Sequence, residues 1–308
     1  MSTTHAPDSA AAPAPDGAGG PPPRRPIARR VVLWSTGIVI AGLVIGGSLL
    51  FSWMVDETHF ERPSAEFDAL TAEVAAVPGV SAVDSSRWVE APLFAPPSSW
   101  IGVGVDDDRL PGLLDLACTA DHPEAVMWSI QASTDAGATI SLNGTTPAGD
   151  GTTDGCPEFG FDAVPLVSEL DRLAPGLDVQ PGVWEDGMLA LVALEAPASD
   201  LAPVLPLIAH SDELLAAAGL RPDSRVEINA PAVGVEVQPG ESSATVALLT
   251  TLAEDFDVTS IWVSEPGDQT DGVARIHVVA PGAHAGIEQA IAQSGLHFAD
   301  FEVAFIEQ

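Results

Sequence analysis

Apolar positions along this chain follow two rhythms that take turns. Phe67, Leu70, Val74 and Val77 fall on one helical face, Ser64 stands where an N-cap belongs, and Pro78-Gly79 ends the run. Residues 80–89 then read as a strand, and Ile101, Val103 and Val105 alternate with glycine as another. Leu110, Leu113, Leu114 and Ala117 predict the next helix, and 126–132 the next strand. In the same way strands are expected at 138–142, 177–184, 188–195, 225–230, 233–237, 260–264, 276–280 and 301–306. Helices are expected at 162–174, within 199–219, around Val246, Leu249 and Leu252, and near 284–294.

Part of this alternation repeats in detail. Phe67-Asp68-Ala69 is matched by Phe161-Asp162-Ala163 near a helix start, and Pro78-Gly79-Val80 by Pro175-Gly176-Leu177 at its exit. Strand–helix–strand taken twice is the ferredoxin-like βαββαβ pattern. The chain past residue 62 is therefore expected to be α+β, built of tandem ferredoxin-like units at 63–133, 137–230 and 232–308. The first unit lacks an opening strand. Shifting the phase by half a unit gives two complete units with loose ends.

The first 55 residues follow neither rhythm. Residues 1–30 are rich in Ala, Pro and Gly and end in a basic cluster, Arg24, Arg25, Arg29 and Arg30; too little apolar surface offsets the entropy of ordering, so a disordered tail is expected. Residues 31–55 carry no ionisable side chain, and as a helix they would extend about 37 Å, enough to cross a bilayer. Trp34 and Trp53 flank that stretch, and no small-x-small cleavage site follows it, so a transmembrane helix is expected rather than a cleaved leader. The basic flank places the tail in the cytoplasm and the remainder outside the cell membrane, a single-pass layout. Gly42 and Gly46 form a GxxxG, which allows homodimer packing through the span or serves only as a tolerated Gly-rich stretch.

Charge narrows the partners. The 308 residues hold 44 Asp and Glu against 11 Arg and no Lys, a formal charge of −33, and residues 56–308 alone have 42 acids against seven arginines, or −35. Nucleic acid is a poor partner for such a surface. The absence of lysine excludes a phosphate-loop lysine, a Schiff base and a Ser–Lys dyad. This layout, the helix–Pro-Gly–Val junction and the Ala/Asp/Val/Gly bias resemble anchored exterior proteins of high-GC Gram-positive (actinobacterial) type. The resemblance is one of layout and brings no functional residues with it.

Candidate chemistry is sparse. Cys118 and Cys156 are the two cysteines, and outside the membrane they are expected to pair rather than remain buried thiols. Asp150, Thr152 and Asp154 have the first three ligand positions of a calcium loop with Gly155 at the sixth, but Phe161 stands where the bidentate acid belongs. A flexible polar linker explains the same residues. Asp106-Asp107-Asp108 complements a helix N-terminus. His277, His284 and His297 fall close together in sequence, yet form no ligand motif; nor do the serines form a nucleophile elbow. No cofactor is implied.

The expected function is a non-enzymatic binding or scaffolding module of the cell envelope with an envelope-protein partner. A divalent-cation-dependent module using Asp150, Thr152 and Asp154 is one alternative. A carboxylate-based envelope hydrolase with acids drawn from distant segments is another.

Overall fold

Strand alternation and the helical stripes meet on one surface. The computed structural model describes residues 60–90, 96–120, 122, 124–147, 155–194, 200–267 and 272–306. A short edge strand β1 (Phe60–Glu61) precedes α1 (Ala65–Ala75), β2 (Val80–Val89) and β3 (Ser98–Asp106). A 3-10 turn over Asp107–Arg109 leads into α2 (Leu110–Thr119), then β4 (Val126–Ser133), β5 (Thr139–Thr146), α3 (Ala163–Leu173), β6 (Val179–Val183) and β7 (Leu189–Ala193). Two short helices, α4 (Leu205–Ala209) and α5 (Ser211–Ala217), come before β8 (Val226–Ala230) and β9 (Val233–Val237). The described chain closes with α6 (Ser242–Phe256), β10 (Ser260–Ser264), β11 (Arg275–Val279), α7 (His284–Gln293) and β12 (Glu302–Phe305).

Local chemistry explains several of these boundaries. The backbone N–H of Phe67 donates to the Ser64 hydroxyl, which caps α1 and satisfies one of its orphan donors. The β4–β5 and β6–β7 hairpins use the same turn. Gly137 N–H donates to the Thr134 carbonyl and Gly187 N–H to the Trp184 carbonyl, at φ of +84° and +86°, where L side chains are strained.

The twelve strands of the described residues join in one mixed sheet in strict sequence order, β1 to β12. Hairpin neighbours pair antiparallel, and strands joined through a helix, from β3–β4 to β11–β12, pair parallel. The expectation of tandem ferredoxin-like units is corrected by this order. In such a unit a later strand inserts between the two parallel ones, whereas here Trp100 lies directly opposite Met127, Ile140 opposite Val179, and Leu191 opposite Ile228. The expected unit boundaries, 134–136 and 231, fall in tight hairpins inside the sheet.

The helices line one sheet face. Ile101, Ile130, Leu142, Val179, Leu191, Ile228 and Ile276 point at them from seven strands, and Leu113, Leu170, Leu249 and Ile287 answer from α2, α3, α6 and α7, in one continuous core. Truncating any of these to Ala would cost about 2–5 kcal/mol. Keeping the helices on one side while strand direction inverts at each hairpin makes successive crossovers wind in opposite senses, so the usual right hand is kept only at alternate ones. The other sheet face has no helical cover among the described residues.

The expected transmembrane helix has no counterpart among the described residues. No helix among the described residues is long and apolar enough to cross a membrane. The longest, α6, has 15 residues, about 22 Å, and carries Glu254 and Asp255. Residues 31–55, with Gly42 and Gly46, lie outside the described residues, as does the tail over 1–30.

Candidate binding groove

The uncovered face is where side chains meet solvent on a rigid floor. Strand alternation that sends Val226, Ile228 and Ala230 into the core turns Arg225, Glu227 and Asn229 outward, and likewise Gly234 and Glu236 on β9 and Trp262 and Ser264 on β10. An open groove of about 840 Å³ runs over these strands, bounded by the β6–β7 turn with Trp184, Glu185, Asp186 and Met188.

Its carboxylates fall into two kinds. Glu236 is neutralised: Arg225 Nη1 donates to Oε1 at 3.0 Å and Oε2 at 2.8 Å, and Gln238 donates to Oε1 as well. Arg225 Nη2 also bonds Asp186, so this one guanidinium serves two acids, and the Glu236 hydrogen bonds hold it more firmly protonated than usual. Glu227 is held differently. Its Oε2 accepts from the Trp184 indole N–H at 2.7 Å and its Oε1 from the Asn229 amide at 3.3 Å, both neutral donors. A carboxylate accepts about four hydrogen bonds, so lone pairs stay open toward the groove.

One tryptophan bonds that carboxylate and a second lies two strands from it. Trp184, at the start of the hairpin turn, is 56% exposed. Trp262 lies across Gly234, where an added Cβ would come within 2.7 Å of its Cδ1. Gly234 in turn pairs with Asn229, so Trp184, Glu227, Asn229, Gly234 and Trp262 form a continuous strip.

The sites expected from sequence are placed as follows. Cys118 and Cys156 are bonded, with Cα atoms 3.9 Å apart, tying the end of α2 to the segment after β5. Asp150, Thr152 and Asp154 lie outside the described residues. The three histidines do not assemble. His284 stacks on Phe305 at 3.8 Å, His277 sits on the open face opposite Trp262, and His297 Nδ1 bonds Glu241 at 2.7 Å. Among the described residues no group of three His, Cys, Asp or Glu side chains is placed to hold a metal. Burial, reinforced by Asp135, Asp171 and Asp108, pushes the Asp107 carboxyl above its ordinary range, partly offset by a backbone hydrogen bond from Asp108. That acid stands at the β3–α2 junction and does not line the groove.

Trp184, Glu227 and Trp262 escaped the sequence reading. Their signal was the polar half of the alternation in 225–229 and a tryptophan beginning an Asp-Gly turn, neither of which forms a motif.

No protein-family model and no curated protein matches the chain. Among solved structures, a similar chain is the crystal structure of Sex pheromone staph-cAM373 precursor, at 13% identity over 61% of this chain and 82% of that one, with a TM-score of 0.23. A likeness that low carries no argument.

Proposed function

We propose that this domain is an extracytoplasmic, non-enzymatic binding module whose receptor surface is the open sheet face over β6–β10. The observation that carries the reading is the groove, with polar and aromatic side chains presented outward from a fully packed sheet. A rigid floor lets such groups bind without first being ordered. The Cys118–Cys156 disulfide supports an oxidising compartment, and the strong negative charge favours cationic partners at low salt.

The test is a photo-crosslinking residue placed in living cells at Met188, inside the groove, and at Gln131, on the open face of β4. An adduct of defined mass formed from position 188 and not from 131 is expected. Equal labelling at both positions, or none at either, would overturn the reading.

A further inference from the structure

We infer that Glu227, held by the Trp184 indole N–H, receives the ammonium or guanidinium group of a Lys or Arg side chain carried on an extended segment of a partner protein. The inference rests on the binding-module reading and names the partner's chemistry.

Three observations carry it. First, Glu227 is oriented through both oxygens by neutral donors, and no cation among the described residues pairs with it, whereas Glu236 and Asp186, in the same groove, share Arg225. A carboxylate fixed in place without a counter-charge is a receptor for one. Second, the Trp184 N–H edge is turned to that carboxylate while more than half of the residue is exposed. Tryptophan is the best aromatic partner for a cation, and 56% exposure is a large apolar area to leave in water without one. Third, beside Arg225 and the two acids it pairs with, Asp186 and Glu236, the groove lining carries Glu185 and Glu227.

The groove's form selects the occupant. Small-molecule sites enclose most of their ligand. This one is open along its length and crosses strands from β7 to β10, with about 840 Å³ of space, far more than one amine fills. An extended polypeptide suits that form, with one cationic side chain at Glu227 and its backbone along the strip.

The full-length chain should be titrated with acetyl-Gly-Arg-Gly-Arg-Gly-amide, its lysine counterpart, and the glutamate counterpart as control, following tryptophan fluorescence. Spermidine serves as a small-cation comparison. The two basic peptides are expected to bind and the acidic one not. Glu227→Gln and Trp184→Ala should each weaken binding about tenfold, while Glu302→Gln, on the last strand, leaves it unchanged. Glu227→Asp, which keeps the charge but shortens the reach, gives a second reading if Glu227→Gln fails to fold. Unchanged affinity in the Glu227 variants, or equal binding of the acidic peptide, would overturn the inference. Spermidine binding as tightly as the peptides would overturn the polypeptide occupant. A groove-specific adduct from position 188 without any preference for basic peptides would sink the inference while leaving the binding-module reading intact.

Discussion

The two halves of the sheet solve the same surface problem differently. From β2 to β5 the strands are 8–10 residues long; from β6 to β11 each has five. Each half lays a tryptophan over a glycine on the open face, Trp100 over Gly102 and Trp262 over Gly234. In the first half the Trp100 indole is satisfied by neutral side chains that close among themselves. The Trp100 indole N–H donates to the Ser129 hydroxyl at 3.2 Å, and that hydroxyl donates to Asn143 at 2.9 Å. In the second half the indole N–H of Trp184 donates to the Glu227 carboxylate, which has no cationic partner among the described residues. Tryptophan hydrogen bonding on the open face is thus closed among neutral groups in one half and directed to a carboxylate in the other, and the second arrangement has capacity for a partner.

The largest test of this division is all-or-none. Asp106 and Ser133 are exposed and paired across the parallel β3–β4 ladder, so cysteines placed at both should join on oxidation. An inserted strand would separate them by about 10 Å and prevent the bond. A mass shift of two hydrogens with protection from thiol labelling is expected; full labelling would break the strand order.

Next in size is the native disulfide, confined to the long-stranded half. Its closed loop spans 38 residues, for which chain entropy gives about 4 kcal/mol. Reduction should lower the melting temperature and speed amide exchange first in β4, β5 and α2. Uniform acceleration through β8–β10 would mean that the halves unfold as one.

Smaller effects separate the two glycines. Gly102→Ala and Gly234→Ala each place a Cβ 2.7 Å from an indole carbon, and displacing the ring should cost about 1–3 kcal/mol in either half. Only Gly234→Ala should weaken the basic peptides. Equal loss of binding in both would erase the distinction between the faces.

The smallest effect is a pH dependence in the first half. Bidentate hydrogen bonds from Arg87, at 2.7 and 2.9 Å, hold the Glu124 carboxyl below the ordinary glutamate range. A lowered acid pKa stabilises the fold above the ordinary value, and that stability is lost as pH falls from there toward the lowered one. The pair is half-buried, and its loss in Arg87→Met should cost about 1 kcal/mol at neutral pH. Thermal melts across the acidic range should show a flatter decline in the variant; identical slopes would remove this pair as the cause.

Much of the local structure could be read from residues alone. The predicted helix over Phe67–Val77, the strand over 80–89, the alternation at 101–105 and the stripe at Val246, Leu249 and Leu252 all become elements close to their expected bounds. The stretch over 199–219 differs in resolving into two short helices, broken at His210. The groove was less legible. Glu227 looks like any outward residue of an alternating strand, and what sets it apart, two neutral donors and no cationic partner among the described residues, depends on Trp184 from another strand pair.

What the sequence determined by itself is therefore periodicity, capping and turn chemistry, because those depend on neighbours three or four residues away. Gly137 and Gly187 had to turn, and Ile101, Val103 and Val105 had to share a face. Strand order was decided only by the tertiary structure. A β-α-β-β-α-β string has the same local pattern whether the later strand inserts between the parallel pair or adds at the edge. The choice depends on long-range packing, here one core shared by β2 to β12. That same choice brought Trp184, Glu227 and Trp262 onto one strip, since residues 78 positions apart become neighbours only when their strands do.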